Sequence, residues 1–286
     1  VQVVLIGDTF QLPPIVNHDD WNILGQFYRS SFFFNSRVLQ EQKPVYIELK
    51  KIYRQRDQEF IDLLNRVRVN NLHPDDIRLL NSRYLHGFTP EEEEDYIILA
   101  THNRMVEETN EKRLREIDEP LHRFEALVEG TFPENSYPAD AVLKLKEGAQ
   151  VMFLRNDRNK RFYNGKIGHV IEISEEGLFV ELPEGDIITV EREEWANIRY
   201  SWDSAGKKVI EEAIGSFVQY PLKLAWAITV HKSQGLTFEK IIADLSEAFA
   251  PGQVYVALSR CTAFQGILLK SPMNARAVMT DPVVLE

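Results

Sequence analysis

Between residues 147 and 218 the hydrophobic pattern of this chain changes period, and that change constrains its fold more than any other feature. Outside the stretch, short continuous apolar runs end in polar turns. Val3 to Ile6 and Tyr96 to Ala100 are runs of this kind, and both predict strands buried in a parallel sheet. The second leads through Thr101-His102-Asn103 into a helix predicted across Met105 to Ile117. Strand, polar turn and helix in succession point to an α/β fold, a parallel sheet with helices on both faces. Inside the stretch the chain reads as Ala149 to Leu154, Ile167 to Ile173, Leu178 to Leu182 and Ile187 to Glu191, punctuated by Asn164-Gly165, Glu176-Gly177 and Pro183-Glu184-Gly185. Short strands with turns at close spacing predict a small antiparallel β-barrel inserted into the α/β unit.

At 286 residues the chain is long enough for two compact units. Val45 to Leu49 is a second strand candidate near the start. From Asp57 the apolar residues Phe60, Leu63, Leu64 and Val67 fall on one helical face, and Pro74-Asp75-Asp76 marks the start of another helix. Leu222 to Thr229 reads as helix or strand, Ile241 to Asp244 as a buried strand, and Gly252 to Leu258 as a short helix ending near Ser259-Arg260. Phe27, Phe32, Phe33 and Phe34 are read as core, because consecutive aromatics cannot all face one ligand.

The net charge of −11 argues against bulk coating of nucleic acid. It leaves room for a narrow basic groove, since residues 141 to 170 carry seven Lys or Arg against Glu147 and Asp157. The run Glu91 to Asp95 is read as a solvated loop. No apolar stretch reaches the roughly 18 residues of a membrane span, so no membrane partner is expected. The single Cys261 excludes an internal disulfide and fits a buried filler in a protein of the reducing cytoplasm.

Three strings carry chemistry. In Gly7-Asp8-x-x-Gln11-Leu12-Pro13-Pro14 the Asp reads either as a magnesium ligand or as a polar strand stop. Gln11, on a stiff loop at the carboxyl edge of a parallel sheet, is placed to sense a terminal phosphate. Arg54 and Arg260 offer permanently charged donor forks suited to a phosphoryl group, although any single Arg near a turn is commonly a surface ion pair. His231-Lys232-Ser233-Gln234-Gly235-Leu236-Thr237 offers donors to phosphates without bulk. No His, Cys or carboxylate stands at zinc spacing from His231, so no metal site is expected.

Gly-Asp-x-x-Gln-Leu-Pro-Pro, Tyr-Arg-Gln, Thr-x-Asn after a strand, His-Lys-Ser-Gln-Gly-Leu-Thr and Tyr-Val-Ala-Leu-Ser-Arg occur in this order. Together they resemble motifs III to VI of the RecD-like and PIF-like branch of superfamily 1 helicases, from residue 1 to about residue 272. The resemblance implies RecA-like motor domains and an inserted barrel similar to a Src-homology-3 subdomain. It implies a nucleotide site to which Arg54, Arg260 and Gln11 contribute catalytically, with Asp8, Gln234 and Gly235 binding nucleotide. Thr101, Asn103, Thr229, His231, Lys232 and Ser233 would contact single-stranded DNA. The basic stretch from Arg155 to Lys166 would be a strand guide or a solvated charged loop.

The resemblance divides the chain into a remnant of the first motor domain (1–50), the second motor domain in two parts (51–146 and 219–286) and the barrel (147–218). The chain departs from the pattern in one respect. No Gly-x-x-x-x-Gly-Lys-Ser/Thr occurs, since Gly165-Lys166 is followed by Ile167 and Gly206-Lys207 by Lys208. The acidic pair expected ahead of motif III for magnesium is also missing. With a first residue that is not Met, inside an apolar run, the expectation is the C-terminal part of a DNA helicase that translocates 5′ to 3′. ATP and Mg2+ would serve the parent protein, with the N-terminal motor domain as partner, while this chain alone would bind neither and hydrolyse nothing. The alternative is a non-catalytic module that binds DNA or a partner.

Overall fold

The computed structural model describes residues 2–87, 96–157, 159–203 and 206–285. Two compact units are formed, one by Glu107–Ala227 and the other by the chain on either side of it. The acidic run Glu91 to Asp95 lies outside the described residues.

The first unit begins without the two strands predicted for it. Val3 to Ile6 and Val45 to Leu49 form no strand, and Ile6 and Val45 are each 89% exposed. A β-strand exists only through hydrogen bonds to a neighbour, and no described strand lies beside either run; β-branched composition supplies propensity without a partner. Between them lie α1 (His18–Leu24), whose first turn is capped by the Asn17 side chain accepting from Asp20 N at 2.8 Å, and α2 (Arg37–Glu41). Of the phenylalanine cluster, Phe32 is buried and stacks on Phe34 at 5.1 Å, while Phe27 and Phe33 are exposed. The core expectation therefore holds at Phe32 and fails at those two, because α1 and α2 bury no residue of their own that would form an opposing layer.

Helix α3 (Gln58–Arg68) follows the spacing. Asp57 caps it by accepting from Glu59 N at 3.0 Å, and Phe60, Leu63, Leu64 and Val67 are all buried. Each such side chain contributes about 2 kcal/mol by leaving water. Helix α4 (Pro74–Asn81) starts with Pro in its first turn, and Asp76 reaches back to accept from His73 N at 2.9 Å. The same carboxylate takes a two-pronged bond from Arg66, at 2.9 and 2.8 Å, which holds it below the usual carboxylate range. Strand β1 (Ile97–Ala100) and helix α5 (Asn103–Glu116) then realise the strand, turn and helix read from sequence.

The second unit is built of antiparallel strands: β2 (His122–Glu125), β3 (Leu127–Gly130), β4 (Val142–Leu145), β5 (Gln150–Phe153), β6 (Ile167–Ser174), β7 (Gly177–Glu181), β8 (Ile187–Val190), β9 (Glu193–Asp203), β10 (Lys208–Gln219) and β11 (Leu222–Leu224). The four strands predicted here form β5 to β8, joined by β11 in one sheet of order β11-β5-β6-β7-β8. Val151, Phe153, Val170, Val180 and Leu222 are among the residues of its core. The long hairpin of β9 and β10 carries no periodic signal over its outer part, where apolar residues such as Tyr200 and Trp202 stay exposed; burial begins only towards its base, at Phe217 and Gln219. In the basic stretch Arg155 pairs with Glu193 at 3.0 Å, Arg161 with Asp157 at 2.9 Å, and Lys166 with Glu184. Asp157 is pulled down to about 2, first by Arg161. Arg158 lies outside the described residues.

The chain then returns to the first unit with β12 (Ala227–Thr229), β13 (Ile241–Asp244), α6 (Gln253–Ser259), β14 (Ile267–Leu269) and α7 (Pro282–Leu285). The sheet runs β12-β1-β13-β14, with β13 parallel to β1 and to β14, pairing Ile97 with Ile241 and Ile241 with Ile267. Every residue of these four strands is buried, as continuous apolar runs require. Helix α3 packs against α6, and Phe60 lies 5.8 Å from the Phe264 ring. Cys261 is buried, its thiol donates to Glu239 O at 3.2 Å, and burial pushes its pKa up. No described helix is long and apolar enough to cross a membrane.

Candidate functional site

Helix α6 organises the site. At its C-terminal end Arg260 is 2% exposed and folds back on its own helix, donating from Nε to Val256 O at 3.0 Å and from Nη2 to Ser259 Oγ at 2.9 Å. Arg54 arrives from residues before α3 and donates from Nη1 to Ser259 O at 3.0 Å and from Nε to Thr237 Oγ1 at 2.9 Å. Its neighbour Gln55 is buried and fixes the approach, donating to Ser259 O at 3.1 Å and to Cys261 O at 2.7 Å. Neither guanidinium meets a carboxylate in an ion pair among the described residues. Burial, then the charge of Arg54, pushes Arg260 down to about 10, so it stays protonated at neutral pH. Burial likewise lowers Arg54. Two cations side by side, with no carboxylate bonded to either among the described residues, make a location that favours a negative ligand.

At the other end of α6 sits the loop carrying Asp8 and Gln11. The Asp8 carboxylate accepts from Phe10 N at 3.1 Å, Gln11 Nε2 at 3.4 Å, Arg68 Nη2 at 3.0 Å and Tyr255 Oη at 3.2 Å. Gly252, at φ 77°, caps the helix here, and a Cβ on it would come within 2.5 Å of Phe10 O and 2.7 Å of Gln11 O. Burial first, then Asp8, raises the Tyr255 phenol to about 12.

The remaining predicted residues divide by direction. Asn103, Lys232, Gln234 and Gly235 are exposed and His231 is half-buried. Thr101, Thr229 and Ser233 are buried: Ser233 Oγ donates to Val230 O at 2.7 Å, Thr229 Oγ1 accepts from Lys232 N at 3.3 Å, and Thr101 Oγ1 lies 2.9 Å from His102 Nδ1. These three hydroxyls shape the turns that present their neighbours. Val230 N donates to Ala100 O at 2.9 Å, which sets the two turns side by side. Sequence reading missed Phe249, 57% exposed between His102 (ring centroids 4.9 Å) and His231 (6.4 Å). It missed Gln253 too, whose buried carboxamide donates to Thr101 O at 3.4 Å and accepts from Phe249 N at 3.0 Å. A lone Phe and a Gln inside a helix carry no sequence signal of contacts made so far along the chain. Among the described residues no three His, Cys, Asp or Glu gather as for a metal ion.

No protein-family model matches the chain. It is 34% identical over 295 residues to the human ATP-dependent DNA helicase PIF1, covering 100% of the chain and 43% of that protein. With the Pif1 helicase of Bdellovibrio bacteriovorus it shares 32% over 296 residues, 100% of the chain and 61% of the relative. The crystal structure of Bacteroides sp Pif1 in complex with ADP-AlF4 superposes with a TM-score of 0.85 at 39% identity, over 98% of this chain and 64% of the other. The chain is PIF1-like over its whole length. Its parallel sheet and flanking helices are the RecA-like α/β fold of those Pif1 structures. Bacteroides Pif1 bound to ssDNA is a further match, with a TM-score of 0.74 and 40% identity over 100% of this chain and 66% of that one. This PIF1-like chain thus spans between 43% and 66% of these relatives.

Proposed function

We propose that this chain supplies the second motor domain, and the edge of the first, to an ATP-dependent DNA helicase that moves 5′ to 3′ along single-stranded DNA. The observation that carries this reading is the meeting of Arg54 and Arg260 on Ser259 without a carboxylate, with the Gln11 loop held to the same helix. Two permanent cations suit the charge that spreads over a transferring γ-phosphoryl group, and Gln11 suits a sensor of that phosphate. Arg260 must turn outward from Val256 O to reach it, so its engagement accompanies closure against the domain that brings the nucleotide. Asp8, Gln234 and Gly235 are assigned to nucleotide binding. The donor set fits the terminal phosphate; no cluster here fits Mg2+, which is left to the phosphate-binding domain.

DNA is assigned to the face of Asn103, His231 and Lys232, with Phe249 offering a ring for a base and Thr101, Thr229 and Ser233 holding the turns. Phosphate contacts and stacked bases without sequence readout make a strand-tracking surface. The antiparallel insert is assigned as a Src-homology-3-like barrel between residues 147 and 218, interrupting a motor domain of residues 51–146 and 219–286.

Lacking a phosphate-binding loop, the 286 residues alone are expected to show no ATPase. Steady-state ATP hydrolysis with single-stranded DNA tests this in a longer protein that includes such a loop. There Arg260→Ala is expected to lower turnover on the order of a thousandfold. A near-normal rate removes the assigned role, and ATPase by the 286 residues alone removes the division of labour.

A further inference from the structure

Between Gln2 and Ile15 the chain touches the first unit over a narrow window. Residues 2–7 are exposed, 8–13 are partly buried, and Pro14 and Ile15 are exposed again. Within that window the carboxylate of Asp8 is the hub. One oxygen, Oδ1, accepts from Phe10 N and from Arg68 Nη2; the other, Oδ2, accepts from Gln11 Nε2 and from Tyr255 Oη. Two of the four donors belong to the loop itself, while the other two come from α3 and α6.

We propose that Tyr255 and Arg68 are positioning residues that clamp the Asp8 carboxylate, and through it the Gln11 loop, in register with Arg260 on α6. Helix α6 is short and bears Tyr255 within it and Arg260 directly after it, so a loop fixed to the first is fixed relative to the second. Arg68 supports the same loop twice, through Asp8 and through its guanidinium lying 4.3 Å from the centre of the Phe10 ring. Its backbone is held in turn by Thr280 Oγ1, which donates to Arg68 O at 2.9 Å. Arg68 keeps this pose although its Nε is buried with no hydrogen-bond partner among the described residues, a cost that structures seldom tolerate without a reason. Bare backbone at Gly252 lets the loop come down on the helix where a side chain would hold it off.

The contacts stand on their own, whereas the consequence for turnover rests on the helicase reading above. Hydrogen exchange on the 286-residue chain tests the clamp. Tyr255→Phe and Arg68→Gln are each expected to speed exchange at the amides of Phe10 and Gln11 about tenfold or more, with α3 amides unchanged. Unchanged exchange at both, or an equal rise throughout α3, overturns it. In a longer protein with a phosphate-binding loop, Tyr255→Phe is expected to lower kcat about tenfold with KM for ATP within about twofold. It should add nothing further in an Asp8→Asn background. A normal kcat, where Arg260→Ala still stops turnover, overturns the positioning role. If neither variant affects turnover, the helicase reading fails and the exchange result still judges the clamp.

Discussion

Arg54 and Arg260 meet on two polar atoms of one residue, Ser259: the first donates to its carbonyl oxygen at 3.0 Å and the second to its hydroxyl oxygen at 2.9 Å. Their charges lie close enough that Arg54 depresses the pKa of Arg260, which burial had already lowered, to about 10. Because the charged form is disfavoured on folding, this group lowers stability at neutral pH, and the penalty lifts as pH rises through about 10. Arg54→Met is therefore expected to raise the Arg260 pKa only in part, since burial is the larger cause. Guanidinium carbon shifts followed by NMR between pH 8 and 12 check this; an unmoved midpoint would mean the two charges do not interact.

The proposed DNA face makes two separable contributions. Phe249→Ala is expected to weaken single-strand binding by about 1–3 kcal/mol, the usual worth of a stacked base, with little change in salt dependence. Lys232→Ala is expected to lower the slope of log affinity against log salt by about 1, as one phosphate contact does. Fluorescence anisotropy over a salt series distinguishes them, and identical slopes in all variants would move the DNA elsewhere.

His231 is half-buried beside Phe249, and burial lowers its pKa below the ordinary imidazole value. The neutral ring is thus the folded form at pH 7, and stability falls as pH drops below about 6.5, where the unfolded chain takes up a proton first. Its ring proton shifts should titrate below 6.5, and Phe249→Ala should bring the midpoint back towards that value. A midpoint above 6.5 in the unaltered chain would contradict the burial.

Asp76 joins α4 to α3 by accepting from Arg66 and from His73 N. Asp76→Ala removes a buried carboxylate from a cap and from its guanidinium, and is expected to cost about 2–3 kcal/mol, reduced by the partial exposure of Arg66. The native carboxylate's pKa is held down, so this stability is present above the ordinary carboxylate range and lost as pH falls below it. Urea denaturation of both proteins at pH 7 and pH 3 measures it, and the difference should shrink at the lower pH.

Where a segment's own side chains decide its state, sequence was enough. The Phe60, Leu63, Leu64 and Val67 stripe and the Pro74 start specified α3 and α4, and the apolar runs at 97–100 and 241–244 specified buried strands, whose pairing with each other the structure then supplied. It failed where a partner was needed or where burial left no mark. Val3 to Ile6 and Val45 to Leu49 have the composition of strands and no described strand to pair with, while the β9 and β10 hairpin pairs on both sides of a bulge at Ile214 and buries an apolar side chain, Phe217, only towards its base.

The candidate site divides the same way. The ordered strings named Arg54, Arg260, Gln11 and the 229–237 turn, because each residue type carries its own chemistry. Only the folded chain decided that Thr101, Thr229 and Ser233 turn inward, that Phe249 lies between two imidazoles, and that Tyr255 and Arg68 converge on Asp8. Those outcomes depend on contacts between residues as many as 247 positions apart, and spacing along a chain holds no information about such distances.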